Sequence, residues 1–227
     1  TTPRRPEDFQ NLSIERSSSA LDHRQRFTMA VVYELPFFKN AKWFMKNIVG
    51  NWEIAPVYTY QTGTLATVQS ATDANLNGDS WSDRVFVNPA GTVNTGSNVS
   101  PLTNSNGDTV AYLVDNPNAR YIRAGSGQLP NGGRNTEHFR PIDDIDMSLL
   151  KRVNITERFK LELGGRFFNI FNHPQYVGGY INDVAPIGYT STEVRNFLNP
   201  ASTTFYHPDY VFSSNPRSIQ VSARFVF

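Results

Sequence analysis

The stretch "NLNGDSWSD" sets oxygen-bearing side chains at Asn75, Asn77, Asp79 and Asp83. That spacing is like the D-x-N-x-D-G-x-x-D loops in which alternate oxygens converge on a hard cation. Asn75 stands where Asp is usual, which removes charge, and Ser80 stands where Gly is usual, which removes an easy positive φ. The expectation is a weak Ca²⁺ site; an Asn/Asp-rich turn held by Asx hydrogen bonds is the alternative. His23, His138, His173 and His207 lie far apart without the spacing of paired metal ligands, and read as satisfied or solvated imidazoles. Asp143, Asp144 and Asp146 are candidate acid/base carboxylates, but nothing in their surroundings separates their pKa values, so they read as the polar start of a strand. "GQLPNGGRN" has clustered glycines without the preceding strand and following helix of a phosphate loop. With no cysteine, thiolate metal sites, disulfides and a catalytic Cys are excluded. No constellation for catalysis remains, and the chain is expected not to be an enzyme, with Ca²⁺ its one candidate cofactor.

The elements that would carry these residues are strands. "RQRFTMAVVYELP" puts Phe27, Met29, Val31, Tyr33 and Leu35 on one face and Arg26, Thr28, Ala30, Val32 and Glu34 on the other. "NWEIAPVYTYQTG" repeats the pattern, weakened by Pro56, which cannot donate to a ladder. "DIDMSLLKRV" sets Ile145, Met147, Leu149 and Val153 against Asp146, Ser148 and Arg152, with Leu150 and Lys151 breaking the alternation. "NITE" turns into "RFKLELGGRFF", the cleanest hairpin, and the final run opposes Ile219, Val221, Ala223, Phe225 and Phe227 to Ser218, Gln220, Ser222, Arg224 and Val226. Five strands are predicted, near residues 24–35, 51–62, 145–153, 158–168 and 217–227. Long polar loops are expected over 64–141 and 172–216. The opening "TTPRRPEDFQ" has neither an initiator Met nor a signal peptide, and is expected to begin a mature or internal fragment.

Charge and hydropathy narrow the surroundings. A net charge of +1 gives no reason to expect nucleic acid. No apolar run approaches the roughly 20 residues of a membrane helix, but alternating barrel strands average to a polar composition and stay open. Long connections alternating with short turns match the extracellular loops and periplasmic turns of outer-membrane barrels. If the C-terminus is periplasmic, Phe27, Tyr58, Tyr60 and Phe167 fall near the outer rim, and Tyr33, Trp52, Phe159, Phe225 and Phe227 near the inner rim. The same orientation turns Glu34, Glu53, Lys160, Glu162, Arg166 and Arg224 inward. Lys151 is the exception, expected to snorkel from the inner end of its strand. "FFKNAKWFMKNIVG" is either a short amphipathic segment on the membrane surface or a turn whose aromatics extend the girdle, and is read as the girdle turn. A secreted β-sandwich binding module, with aromatic loops as glycan platforms, is the alternative for the chain as a whole.

"DHRQRFTMAVVYELP", "GNWEIAPVYTYQTGTL", "NGDSWSDR", the run from "GGRNTEHFRP" through "RFFNIFNHPQY", and the closing "PRSIQVSARFVF" together resemble the C-terminal part of TonB-dependent receptor-like outer-membrane proteins. The resemblance is to the Oar-like group, which has a carboxypeptidase-regulatory-like N-terminal domain. It implies an all-β fold, the last five or so strands of a transmembrane barrel filled by a plug, taking up a large or scarce substrate. The implied partners are outer-membrane lipid, the remainder of the barrel and its plug, the outer-membrane assembly machinery, and the TonB system through the N-terminal part. Val221, Ala223, Phe225 and Phe227 resemble the signal that the assembly machinery reads on a last strand.

Overall fold

A computed structural model describes residues 5–79, 83–176, 196–211 and 216–227. In chain order the first elements are β1 (Arg26–Ala30), β2 (Tyr33–Glu34), helix α1 (Trp43–Ile48) and β3 (Trp52–Gln61). There follow β4 (Leu65–Ala66), β5 (Phe86–Val87), β6 (Thr92–Ser97), β7 (Val99–Thr103), β8 (Thr109–Val114), β9 (Ala119–Ile122) and β10 (Glu137–His138). Three long strands complete the fold: β11 (Ile142–Asn154), β12 (Lys160–Phe168) and β13 (Ser218–Val226).

The chain divides into two compact units. One comprises His23–Thr62, Pro141–Gln175 and Ser214–Phe227, and is a single antiparallel sheet in the order β1-β3-β11-β12-β13, with β2 also on β3. Its ladders keep one register from end to end, without a bulge. The β11–β12 hairpin closes where Ile155 and Thr156 donate to the Phe159 carbonyl at 2.9 and 3.1 Å, and the Phe159 N–H donates back to Thr156 Oγ1.

The expected single strand over 24–35 is two strands, β1 and β2, and Pro56 is the reason. Val31 N–H donates to the Pro56 carbonyl at 3.1 Å, but the reciprocal donor is missing from the proline ring, so the ladder lapses at Val31 and Val32. It resumes in the same register at Tyr33 opposite Ile54.

The other unit comprises Thr1–Asp22, Gly63–Arg140 and Tyr176–Ser213. The stretch expected as one long loop over 64–141 carries β4 to β10 instead, in three small sheets. Val68, Val85, Tyr121 and Phe205 form one core cluster, and Ala66, Phe197 and Leu198 another. These apolar residues come in ones, twos and threes from separate polar stretches, so no period marks them. Of the second expected loop, over 172–216, residues 177–195 and 212–215 lie outside the described residues.

Candidate functional site: the two faces of the large sheet

In an antiparallel ladder, directly opposed residues point to the same side, so the registers decide which side chains share a face. One row runs Val31, Pro56, Met147, Phe167 and Ile219; the next runs Tyr33, Ile54, Leu149, Gly165 and Val221. A third contains Trp52, Lys151, Leu163 and Ala223. The apolar sets of five strands thus fall on one side. That side is bare: Phe27, Met29, Ile219, Val221 and Phe225 are all exposed. A sandwich would cover it with a second sheet, and among the described residues this unit has only one.

The aromatic residues expected in two girdles are placed as follows. Phe27, Tyr58 and Tyr60 gather at one end of the apolar face, where the Phe27 and Tyr58 rings lie 6.1 Å apart. Trp52, Phe159, Phe225 and Phe227 gather at the other, where Phe159 stacks on Phe225 at 5.6 Å. Tyr33 and Phe167, expected at opposite rims, stand on adjacent rows of the ladder. Rows run perpendicular to strands, whereas barrel strands tilt by roughly 35–45° to the membrane normal, so rows are not membrane levels. Assigning rims by counting along each strand ignores that shift. The four residues of the resembled assembly signal are together: Val221, Ala223 and Phe225 lie along the apolar side of β13 and Phe227 follows it, fully exposed.

The opposite side carries the charges. Arg152 Nη2 lies 2.6 Å from Glu53, with Glu34 at 3.4 Å and Glu162 at 3.7 Å, and Glu162 is itself opposed by Arg224 in the ladder. Lys39 adds a 3.6 Å contact to Glu34. One guanidinium thus gathers three carboxylates from three strands. The sequence marks these residues as inward but does not show them meeting, because register is set by long-range pairing.

Two charged residues stand on the apolar side. Lys151 does not snorkel to water as expected: it is 6% exposed, its ammonium donates to the Gly50 carbonyl and lies 5.1 Å from the centre of the Trp52 ring. The chain entering β3 bends over it, so a carbonyl and a π face replace solvent. Asp143 lies opposite Tyr60 at the far end of the face. Asp144 and Asp146 point to the other side, so the three carboxylates do not converge, and Asp146 accepts the Asn169 N–H at 3.0 Å.

In the smaller sheets' unit, side-chain oxygens of Asn75, Asn77 and Asp83 in the candidate Ca²⁺ loop are engaged with backbone. Asp83 Oδ2 accepts from Ala74 N–H and Asn75 N–H, Asn75 Oδ1 from Asn77 N–H at 3.1 Å, and Asn77 Oδ1 from Asp79 N–H at 2.9 Å. Burial pushes the Asp83 carboxyl above its ordinary range, against the pull of the two N–H donors. Leu76 and Gly78 take positive φ in this turn, +60° and +86°; Ser80 lies outside the described residues. Among the described residues no three His, Cys, Asp or Glu are grouped to hold a metal. The histidines also stay apart: His23 approaches the Thr62 carbonyl, His173 approaches Gln175, and His207 packs on Tyr210.

Two polar clusters in this unit have no local signal in the sequence. Arg84, almost fully buried, donates from its main-chain N–H to Glu7 Oε2 at 3.0 Å, pairs with Glu15, and reaches the Ile14 and Gly132 carbonyls. Burial pushes the Glu7 carboxyl up to about 7. Glu137 accepts hydrogen bonds from both Tyr121 and Tyr206, beside a cavity of about 170 Å³. Burial pushes the Tyr121 phenol up to about 12 and Tyr206 further in the same direction, with the carboxylate adding to both.

A family model described as an outer membrane beta barrel domain matches residues 1–206. Neither curated proteins nor solved structures gave a match.

Proposed function

Because the chain belongs to the outer membrane beta barrel domain family, and with it to the bacterial outer membrane, we propose that its large sheet is part of the wall of a TonB-dependent receptor-like transporter for a large or scarce substrate. One observation carries this reading beyond the family: a single unbroken set of registers puts the apolar sets of five strands on one bare side, with Arg152, Glu34, Glu53, Glu162 and Arg224 opposite. Lipid takes the place of the missing second sheet on one side, and an aqueous lumen or plug takes the other.

The remaining partners follow from the same reading. β1 and β13 each present an unpaired edge among the described residues, and the rest of the barrel pairs with them. The smaller sheets' unit supplies extracellular loops, Val221, Ala223, Phe225 and Phe227 supply the stretch read by the assembly machinery, and no catalytic step is involved. The test uses the intact protein extracted from membranes. It should run as a heat-modifiable outer-membrane band and bind the purified periplasmic domain of TonB. A barrel that shows no TonB binding would overturn the transport reading, and recovery in the soluble fraction would overturn the wall itself.

A further inference from the structure

The connection between β2 and β3 is turned inside out relative to a water-soluble helix. Its α1 helix presents Trp43 at 57%, Phe44 at 62% and Ile48 at 53% exposure, and Phe37 before it is as open. The helix residue it buries is polar: Asn47, 2% exposed, accepts the Asn154 N–H at 2.8 Å and donates to the Trp43 carbonyl at 3.0 Å. Trp43 Nε1 donates to the Asn154 carbonyl at 2.9 Å, and the Lys151 ammonium grips the Gly50 carbonyl. Gly50 itself admits no side chain, since a Cβ there would stand 2.8 Å from the Lys46 carbonyl and 3.0 Å from that of Phe37. Polar tethers therefore hold the segment to the end of the sheet while its apolar side chains face away. In water this arrangement exposes large side chains for no return, so the surroundings it fits are apolar.

Charge says which apolar surroundings. From Leu35 to Trp52 the chain has Lys39, Lys42 and Lys46 and no acidic residue. Lys42 and Lys46 form no ion pair among the described residues, whereas Lys39 meets Glu34. We propose that Phe37–Val49 is an interfacial docking segment: its aromatic and aliphatic side chains enter the headgroup region of the phospholipid leaflet, and Lys42 and Lys46 pair with anionic headgroup phosphates. The segment adjoins the Trp52 and Phe225 end of the apolar sheet face, so lipid contact continues from the wall onto the helix. This rests on the membrane-wall reading above, and it replaces the girdle turn expected for "FFKNAKWFMKNIVG".

The intact protein, in a version without other cysteines, is reconstituted in phosphatidylcholine vesicles with or without phosphatidylglycerol. A polarity-sensitive label is placed in turn by Ile48→Cys, Val221→Cys and Val93→Cys, and quenching is read with phospholipids brominated near the headgroup for positions 48 and 93 and at mid-chain for position 221. Position 221 should be quenched in both lipids and position 93, exposed in the other unit, in neither. Position 48 should be quenched, and more strongly with phosphatidylglycerol, because each lysine near an anionic surface favours docking by about fivefold. Lys42→Gln with Lys46→Gln should erase the lipid dependence. Position 48 as unquenched as 93, with 221 quenched, would overturn the docking segment and leave the wall standing. Position 221 unquenched would overturn the wall. Quenching at 48 that ignores phosphatidylglycerol would overturn the headgroup pairing.

Discussion

Replacing Val221 by Arg puts the division of faces to its sharpest test. Val221 is 81% exposed on the apolar side, opposite Gly165, whose lack of a side chain leaves the new guanidinium nothing to pack on. The acidic residue of β11 on that side, Asp143, stands three same-face steps beyond Leu149, out of reach. A cation on the lipid side near mid-bilayer costs about 2–4 kcal/mol, which lowers the folded-to-unfolded ratio roughly 30- to 700-fold. Ser222→Arg, one residue along, faces the other way, opposite Gly164 and diagonal to Glu162, and should change stability by no more than about 0.5 kcal/mol. The assay is urea unfolding of the intact barrel in phospholipid vesicles, followed by the heat-modifiable mobility shift. Equal losses at 221 and 222, or a larger loss at 222, would refute the assignment of sides.

Glu7 carries a pH dependence of known sign. Its folded value, about 7, lies above the ordinary 4.5, so its contribution to stability is complete below about pH 4.5 and falls as pH rises toward 7, by about 3 kcal/mol in all. Hydrogen-exchange protection of residues 5–16 should weaken over that window, and Glu7→Gln should flatten the profile; an unchanged slope in the variant would remove Glu7 as the cause. Arg152→Ala leaves Glu34, Glu53 and Glu162 facing one another, and should cost about 1–2 kcal/mol in urea unfolding at low salt and less at high salt, since the cluster is partly open to water. Gly50→Ala should cost about 1–3 kcal/mol by forcing backbone apart at Lys46 and Phe37, read by urea unfolding beside the neutral Ser222→Arg.

The wall was legible because its cause is local. Alternation at a period of two assigns Val221 and Ser222 to opposite sides whatever strand lies next to them, whereas the break between β1 and β2 shows only once the register sets Pro56 opposite Val31. The smaller sheets were not legible, because the residues that build them meet only after long excursions: Glu7 and Arg84 are 77 positions apart, Tyr206 and Glu137 69. Lys151 stands between these cases. Its breach of the pattern is visible in the sequence, but its partner, a carbonyl at Gly50, has no side chain to announce it. Asn47 was missed because a polar residue within an aromatic and basic run looks solvent-facing until the exposed Trp43 and Phe44 show the helix reversed.

On the proposed wall, the unbroken registers also constrain any strand that pairs with β13. That edge is a one-dimensional template: Ile219, Val221, Ala223 and Phe225 alternate along it with Ser218, Gln220, Ser222 and Arg224, and no bulge offers a place to absorb an error. A newcomer displaced by a single residue would turn all its side chains to the wrong side at once, charges to lipid and apolar groups to water. Such a seam would therefore close as an all-or-none choice of phase, in which partially correct pairing has no value, and the error would be rejected by the summed cost of a whole strand.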